Sequence, residues 1–348
     1  MKILCVGDVH WSQNSSIVRS RGSQYSTRLE NLIQSVNWAE ETGWNTGCNV
    51  AVYMGDFFDS AVLNNEEISA LREIRWAPIP HIFITGNHET NVSSLQYSTC
   101  DIFNLCPNST VISKPEYYHI EGTDVEFAFL PYILEKDRQP VESYFPQKSE
   151  KRIIFSHNDL KDVQYGAFLS TEGFTIDELE SNSDLCMNGH IHHCAYVTNK
   201  IINVGNLTGQ NFTEDATKYG HFVEVVDTTD LGNIQFYRNP YAFNFLKKDV
   251  TTCNDSDLQF NLKPPCDYAV MTVKATVTQA AKARLLLDSF PKERLVSYRL
   301  VIESDNSAVE VTNTEFEAVD HLKQFEQYVL QNIGDNNIIR EELTNVMR

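Results

Sequence analysis

The chain has 348 residues, 42% of them hydrophobic, and a formal net charge of −19. That length can bury one large core and a smaller second one. The acidity excludes a protein that grips nucleic acid over its whole surface, because phosphate binding relies on clustered Lys and Arg. The eight cysteines form no C-x-x-C pair, the first residues lack the flanks of a signal peptide, and no apolar stretch reaches membrane-span length. A reducing, soluble, cytoplasmic setting is therefore expected.

Residues 3–6 read as a buried strand. A helix is expected from about Thr27, with Glu30 completing a capping box and Leu29, Leu32, Ile33, Val36 and Ala39 as its apolar stripe; Gly43 marks its end. Residues 49–54 form the next strand, a helix over about 65–76 stops before Pro78, and 81–85 form a third strand. This alternation predicts parallel strands joined by crossover helices, with ligands gathered at the strands' carboxyl ends. Segments 126–132, 152–156, 184–187, 201–204 and 221–227 read as short strands of a second sheet packed on the first. Residues 234–250 read as a connector. A strand at 269–275, a helix over about 278–289 and a strand at 296–302 form a compact unit, and a helix over about 315–332 follows. In that last helix Thr314 and Glu317 make the capping box and Gly334 lies past the end. The division expected is 1–250, 251–312 and 313–348.

Five fragments lie at the ends of these strands: Asp8-Val9-His10, Gly55-Asp56, Gly86-Asn87-His88-Glu89, His157, and Gly189-His190-Ile191-His192. One such fragment is more often a turn than a site, but five in series reverse the odds. Asp8, His10, Asp56, Asn87, His157, His190 and His192 together can ligate two metal ions. The carboxylate, imidazole and amide set suits Mn, Fe or Zn rather than a thiolate zinc site. Asp8 and His10 lie one residue apart on an extended exit from their strand and can share one ion with His192. Asp56 is the best bridge, while Asn87, His157 and His190 complete the second ion. By alternation His193 points away and is not a ligand. His88 follows a ligand and is placed as general acid, or as the group that stabilises charge on the leaving oxygen. Asp59 is a plausible orienting group behind a ligand. His81, His119, His221 and His321 have no companions and read as structural.

Here the chain resembles the calcineurin-like metallophosphoesterases, which carry D-x-H, G-D-x-x-D, G-N-H-[DE], H and G-H-x-H in this order. The match covers roughly residues 1–230. The resemblance implies an α/β fold, a four-layer α/β/β/α sandwich, and a dinuclear centre, often manganese. Within the family the chain is similar to the Mre11/SbcD nuclease branch, through Gly55-Asp56-Phe57-Phe58-Asp59, the segment 202–207, and a connector leading to a small α+β capping domain. Glu89 stands where that branch usually has Asp. Likeness to that branch implies a Mn-dependent DNA nuclease subunit with 3′→5′ exonuclease and single-strand endonuclease activity. Phosphodiester hydrolysis would use a hydroxide activated by the two ions. Its partners would be DNA and a coiled-coil ATPase of the Rad50/SbcC kind, in break processing or recombination; whether it forms a homodimer stays open.

Charge fits this reading in part. Residues 238–300 hold ten Lys or Arg against six Asp or Glu, a local +4, whereas 301–348 hold three against ten, a local −7. Lys247, Lys248, Lys282, Arg284, Lys292 and Arg294 are the candidate DNA-backbone contacts; an ordinary solvated basic face is the competing reading. The helix at 315–332 either docks onto the ATPase or packs on its own domain. Two rivals remain at this point: a phosphomonoesterase (protein phosphatase or nucleotidase) with the same metals, and a non-enzymatic scaffold, which should have lost ligands.

Overall fold

The structure is a computed structural model. It describes every residue except 16–23, 92–93, 120–122, 149, 166–167, 251–261, 264–265, 291–293, 305–306 and 312–348. The expected C-terminal helix and Lys292 lie outside the described residues.

The strands that build the first unit are, in chain order, β1 (Lys2–Val6), β2 (Val50–Tyr53), β3 (His81–Ile84), β4 (Ser109–Ile112), β5 (Glu116–His119), β6 (Val125–Leu130), β7 (Lys151–Ser156), β8 (Leu185–Asn188), β9 (Ala195–Tyr196), β10 (Ile201–Asn203), β11 (Phe222–Asp227) and β12 (Asp230–Arg238). They form two six-stranded sheets. The first has the order β12-β11-β1-β2-β3-β4, the second β9-β10-β8-β7-β6-β5. In the first, β1 to β4 run parallel and β11 and β12 add antiparallel at one edge. In the second, β10, β8, β7 and β6 run parallel and an antiparallel strand closes each edge.

The inner strands of both sheets are buried on both faces, so they read as nearly continuous apolar runs, whereas the edge strands β5 and β12 are largely exposed. The period of two then decides which layer each side chain enters. Ile3 and Cys5 point to the layer between the sheets, where they join Val52, Met54, Phe127, Phe129, Ile153, Phe155, Met187 and Val204. Leu4 and Val6 point the other way, onto Leu29, Leu32 and Val36 of helix α1 (Thr27–Asn45). On the far side of the second sheet, Ile154 and Cys186 pack with Val141 of α3 (Val141–Tyr144) and Leu179 of α4 (Ile176–Asn182), which follow the short α2 (Asn65–Ala70). These three apolar layers define the four-layer α/β/β/α sandwich.

Several sequence expectations are corrected. The N-cap of α1 is Ser26 rather than Thr27, and its side chain accepts from Leu29 N. Gly43 does not end that helix, which runs on to Asn45. A Cβ there would meet Leu4 Cδ2 at 2.7 Å, so the glycine serves helix–sheet contact instead. The second helix stops at Ala70, followed by one 3₁₀ turn over Leu71–Glu73. Beyond it, side chains of α1 take the backbone donors: Asn37 Oδ1 accepts from Arg75 N at 2.6 Å and Glu40 Oε2 from Ala77 N at 2.9 Å. The strand expected at 221–227 belongs to the first sheet, hydrogen-bonded antiparallel to β1. The expected connector is largely strand, comprising β12 and β13 (Asn244–Val250).

The chain divides into two compact units, Met1–Lys247 with Asn261–Tyr268, and Lys248–Phe260 with Ala269–Arg348. In the second unit β14 (Asp267–Thr276) and β15 (Leu295–Ser304) pair in parallel around helix α5 (Ala280–Ser289), and β16 (Ser307–Val311) adds antiparallel. Ala269, Met271, Val273 and Ala275 alternate into its buried side, as the period of two requires. No helix among the described residues is long and apolar enough to cross a membrane.

Candidate metal centre

All seven candidate ligands lie at the carboxyl ends of β1, β2, β3, β7 and β8. Three clusters of donor atoms form there: Asp8 with His10 and His192, His10 with Asp56 and His88, and Asp56 with His157 and His190. Asn87 joins the third, its Oδ1 3.2 Å from His157 Nε2. His10 and Asp56 each belong to two clusters, so the donors form one continuous group.

The local backbone explains how strands can aim so many side chains at one point. Among the described non-glycine residues five have left-handed φ, and three of these are His10 (50°), Asp56 (47°) and His190 (73°). Such conformations are costly and cluster where the surroundings impose them. Here Val9 N and His10 N both donate to Asp56 O, at 3.1 and 2.9 Å, bending the first motif onto the second. This corrects the expected extended exit at Asp8–His10. Gly55, at φ 99°, and Gly86 allow the close approach, since a methyl group at either would be driven into His157 or Asp56.

The donor atoms fit divalent cations. Met54 O lies 2.7 Å from His157 Nδ1, so that nitrogen carries a hydrogen and Nε2 faces Asp56 Oδ2 and Asn87 Oδ1, both at 3.2 Å. His10 Nδ1 donates to Asp59 Oδ1 at 3.0 Å, leaving its Nε2 facing His192 Nε2 at 3.0 Å. Asp8 Oδ2 is buried without a hydrogen-bond donor. Converging lone pairs of this kind are costly to bury unless a cation lies among them.

The electrostatics point the same way. Burial works against the Asp56 carboxylate, but His157, His10 and His88 outweigh it and hold its pKa well below the usual range. Burial likewise opposes a charged His157, yet Asp56 and Asp8 push it up to about 10. A field that draws a proton so strongly also draws a metal ion, whose binding then releases that proton.

Asp59 stands behind His10 and also lies 3.6 Å from His88 Nδ1. The His88 side chain is 40% exposed, the most open ring of the centre, and its Nδ1 lies 3.1 Å from Asp59 O. His193 is in none of the clusters and stacks on Tyr219 with ring centroids 3.8 Å apart. His81 pairs with Glu40 and His221 with Asn206 O, both inside the fold. Lys282 and Arg284 are exposed on α5, Arg294 lies in the turn before β15, Lys248 is on β13, and Lys247 donates to Thr213 O.

Sequence reasoning missed four residues. Glu214 backs His192, with Oε1 3.4 Å from Nδ1, and Asp159 backs His190, with Oδ2 3.4 Å from Nε2. Gln210 Nε2 donates to Asp59 Oδ1 at 2.6 Å. Glu89 accepts from Gly86 N at 2.8 Å, and burial followed by the nearby Asp56 raises its carboxyl well above the usual range. Asp159 had one signal, its spacing of two from His157. Glu214 and Gln210 had none, because they lie in a polar loop with no motif.

Residues 1–194 match the calcineurin-like phosphoesterase family. The chain is 20% identical to exonuclease subunit 1 of Enterobacteria phage T4 over 337 residues, 94% of this chain and 92% of that protein. Two solved structures are more distant. The protein TT1561 of Thermus thermophilus has a TM-score of 0.41 at 10% identity, covering 68% of this chain and 98% of that one. The 5′-nucleotidase of Candida albicans SC5314 has a TM-score of 0.38 at 12% identity, covering 84% and 57%. With the family match spanning more than half the sequence, the chain belongs to the calcineurin-like phosphoesterases and is a metal-dependent phosphoester hydrolase.

Proposed function

We propose that this protein is a Mn-dependent DNA nuclease subunit, a 3′→5′ exonuclease and single-strand endonuclease. It would act in the cytoplasm beside a Rad50/SbcC-like coiled-coil ATPase, in break processing or recombination. The observation that carries phosphoester hydrolysis is the run of three donor clusters linked through His10 and through Asp56. The choice of DNA is supported by the likeness to an exonuclease subunit, which extends over 94% of the chain and so past the phosphoesterase region. In this reading residues 251–312 are a small domain of the capping kind, and 313–348 either dock the partner or pack on their own domain. Lys247, Lys248, Lys282, Arg284, Lys292 and Arg294 contribute DNA-backbone contacts.

Asp8, His10 and His192 would hold one ion, and Asn87, His157 and His190 the other, with Asp56 shared. Bound there, the ions supply positive charge against the scissile phosphate and lower the pKa of water. Asp56 and the imidazoles fix the reacting phosphate by fixing that charge. The Asp59 carbonyl accepts from His88 Nδ1, which leaves Nε2 as the nitrogen that would hand a proton to the leaving oxygen. Asp59 thus serves His10 and His88 together.

The test is cleavage of labelled linear duplex and single-stranded DNA with Mn²⁺, Mg²⁺ or EDTA, using wild type beside Asp56→Ala and His88→Ala. Manganese-dependent degradation lost in both variants is the expected result. Mono-ester hydrolysis without DNA cleavage, lost in the same variants, would move the protein to the phosphomonoesterases.

A further inference from the structure

We propose that Gln210 and Glu214 are positioning residues that make the Asp8–His10–His192 site the tighter of the two ion sites. This rests on the two-ion reading of the centre, but not on the identity of the substrate.

The loop between β10 and β11 carries both residues. Glu214 is nearly fully buried, and Gln210 N donates to both its carboxylate oxygens at 3.2 Å. That carboxylate holds His192 Nδ1 at 3.4 Å. The side chain of the same Gln210 reaches the other way, to Asp59 Oδ1 at 2.6 Å, and Asp59 Oδ1 holds His10 Nδ1 at 3.0 Å. One glutamine therefore ties together the two carboxylates that orient the two imidazoles. Their Nε2 atoms are left facing each other at 3.0 Å.

The loop is itself pinned. Arg28, wholly buried on α1, donates to Gly209 O at 2.8 Å and to Val9 O at 3.4 Å, joining the loop to the first motif. Gly209 N and Ala216 N donate to Phe243 O and Phe245 O, at 3.0 and 2.9 Å. Both ends of the segment are thus clipped to one stretch of chain.

The other site lacks this support. A neutral backbone carbonyl, Met54 O, orients His157. His190 is backed by Asp159 at 3.4 Å; the Asp159 side chain is 28% exposed and Asp59 is 26% exposed, so solvent screens these two alike, and only Glu214 is nearly buried. A carboxylate behind an imidazole raises its basicity and fixes its tautomer, and removing such a partner costs roughly 10–100-fold in metal affinity. Two carboxylates, one of them nearly buried, should therefore outweigh one carbonyl and one partly exposed carboxylate.

The experiment is titration of the metal-free, full-length protein with Mn²⁺, followed by calorimetry and by the electron paramagnetic resonance of bound manganese. Wild type should take up two ions in two separable steps. Glu214→Ala and Gln210→Ala should each weaken the tighter step by about 10-fold or more, leaving the weaker step within about twofold. Glu214→Gln, which keeps an acceptor for His192, should fall between, and Asp159→Asn should weaken only the second step. If Glu214→Ala does not fold, Gln210→Ala decides, since it removes one surface-loop amide and no buried charge. An unchanged tighter step in Gln210→Ala and Glu214→Gln, or equal weakening of both steps, would overturn the proposal while leaving the two-ion centre intact. Uptake of fewer than two ions by wild type would overturn both.

Discussion

Each of the two six-stranded sheets has four parallel strands and ends them at the same site, yet they bring different chemistry there. The first supplies Asp8, His10, Asp56 and Asn87, three oxygen donors and one imidazole; the second supplies His157, His190 and His192, imidazoles alone. Two of the three donor clusters draw on both sheets. Carboxylates and most of the imidazoles are thus divided between the halves of the fold, and the centre exists only where the halves pack. The apolar layer between the sheets is therefore part of the site's construction, whereas the two outer layers join each sheet to its helices.

That contrast can be broken at Asp56, which belongs to two of the three clusters. Asp56→Ala should lower kcat on a chromogenic phosphodiester by about 10⁴-fold or more, because a bound cation supplies several kcal/mol of transition-state stabilisation. Metal analysis of the variant should find fewer than two ions per chain, and retention of two would remove Asp56 from the bridge.

Phe155 lies in the layer between the sheets, and Leu32 in the layer under α1. Phe155→Ala should cost about 3–5 kcal/mol and Leu32→Ala about 2–5 kcal/mol in urea unfolding. Only the first should also weaken manganese binding in the folded protein. Equal effects on metal affinity would show that the inter-sheet layer has no special link to the site.

His88→Ala should lower kcat by about 10²- to 10³-fold, within the range for a lost general acid, and leave metal content unchanged. An activity loss that tracks metal loss would make His88 a ligand instead.

The last test concerns Glu224, which sits opposite Cys5 in the first sheet and accepts from Cys194 Sγ at 3.5 Å. Burial raises its carboxyl well above the usual range. Below the ordinary glutamate pKa of about 4.3, folded and unfolded chains are both protonated there, and stability is unaffected. Above it the unfolded chain loses the proton first. The folded state then loses up to about 1.4 kcal/mol per pH unit until its own raised pKa is reached. Glu224→Gln should remove that slope, so its advantage over wild type in denaturant midpoint should widen from pH 5 to pH 8. Parallel curves would mean that Glu224 titrates normally.

Much of this was legible in the sequence, for physical reasons. Apolar runs followed by Asp-x-His, Gly-Asp, Gly-Asn-His and Gly-His-x-His announce strands that end in clustered donor side chains, since strand ends in such sheets are where side chains converge. The period of two separated Leu4 from Cys5. The membership of Phe222–Asp227 in the first sheet was not legible, because a buried strand has the same pattern in either sheet and only long-range pairing with β1 assigns it. The left-handed turns at His10, Asp56 and His190 are imposed by hydrogen bonds between motifs far apart in the chain, so no local propensity announces them. Glu214, Gln210 and Arg28 carry no motif at all. Residue types and spacing along one strand determined which chemistry the chain can perform; the packing of loops and sheets decided which carboxylate stands behind which imidazole, because that depends on distances between residues as remote as His10 and Gln210.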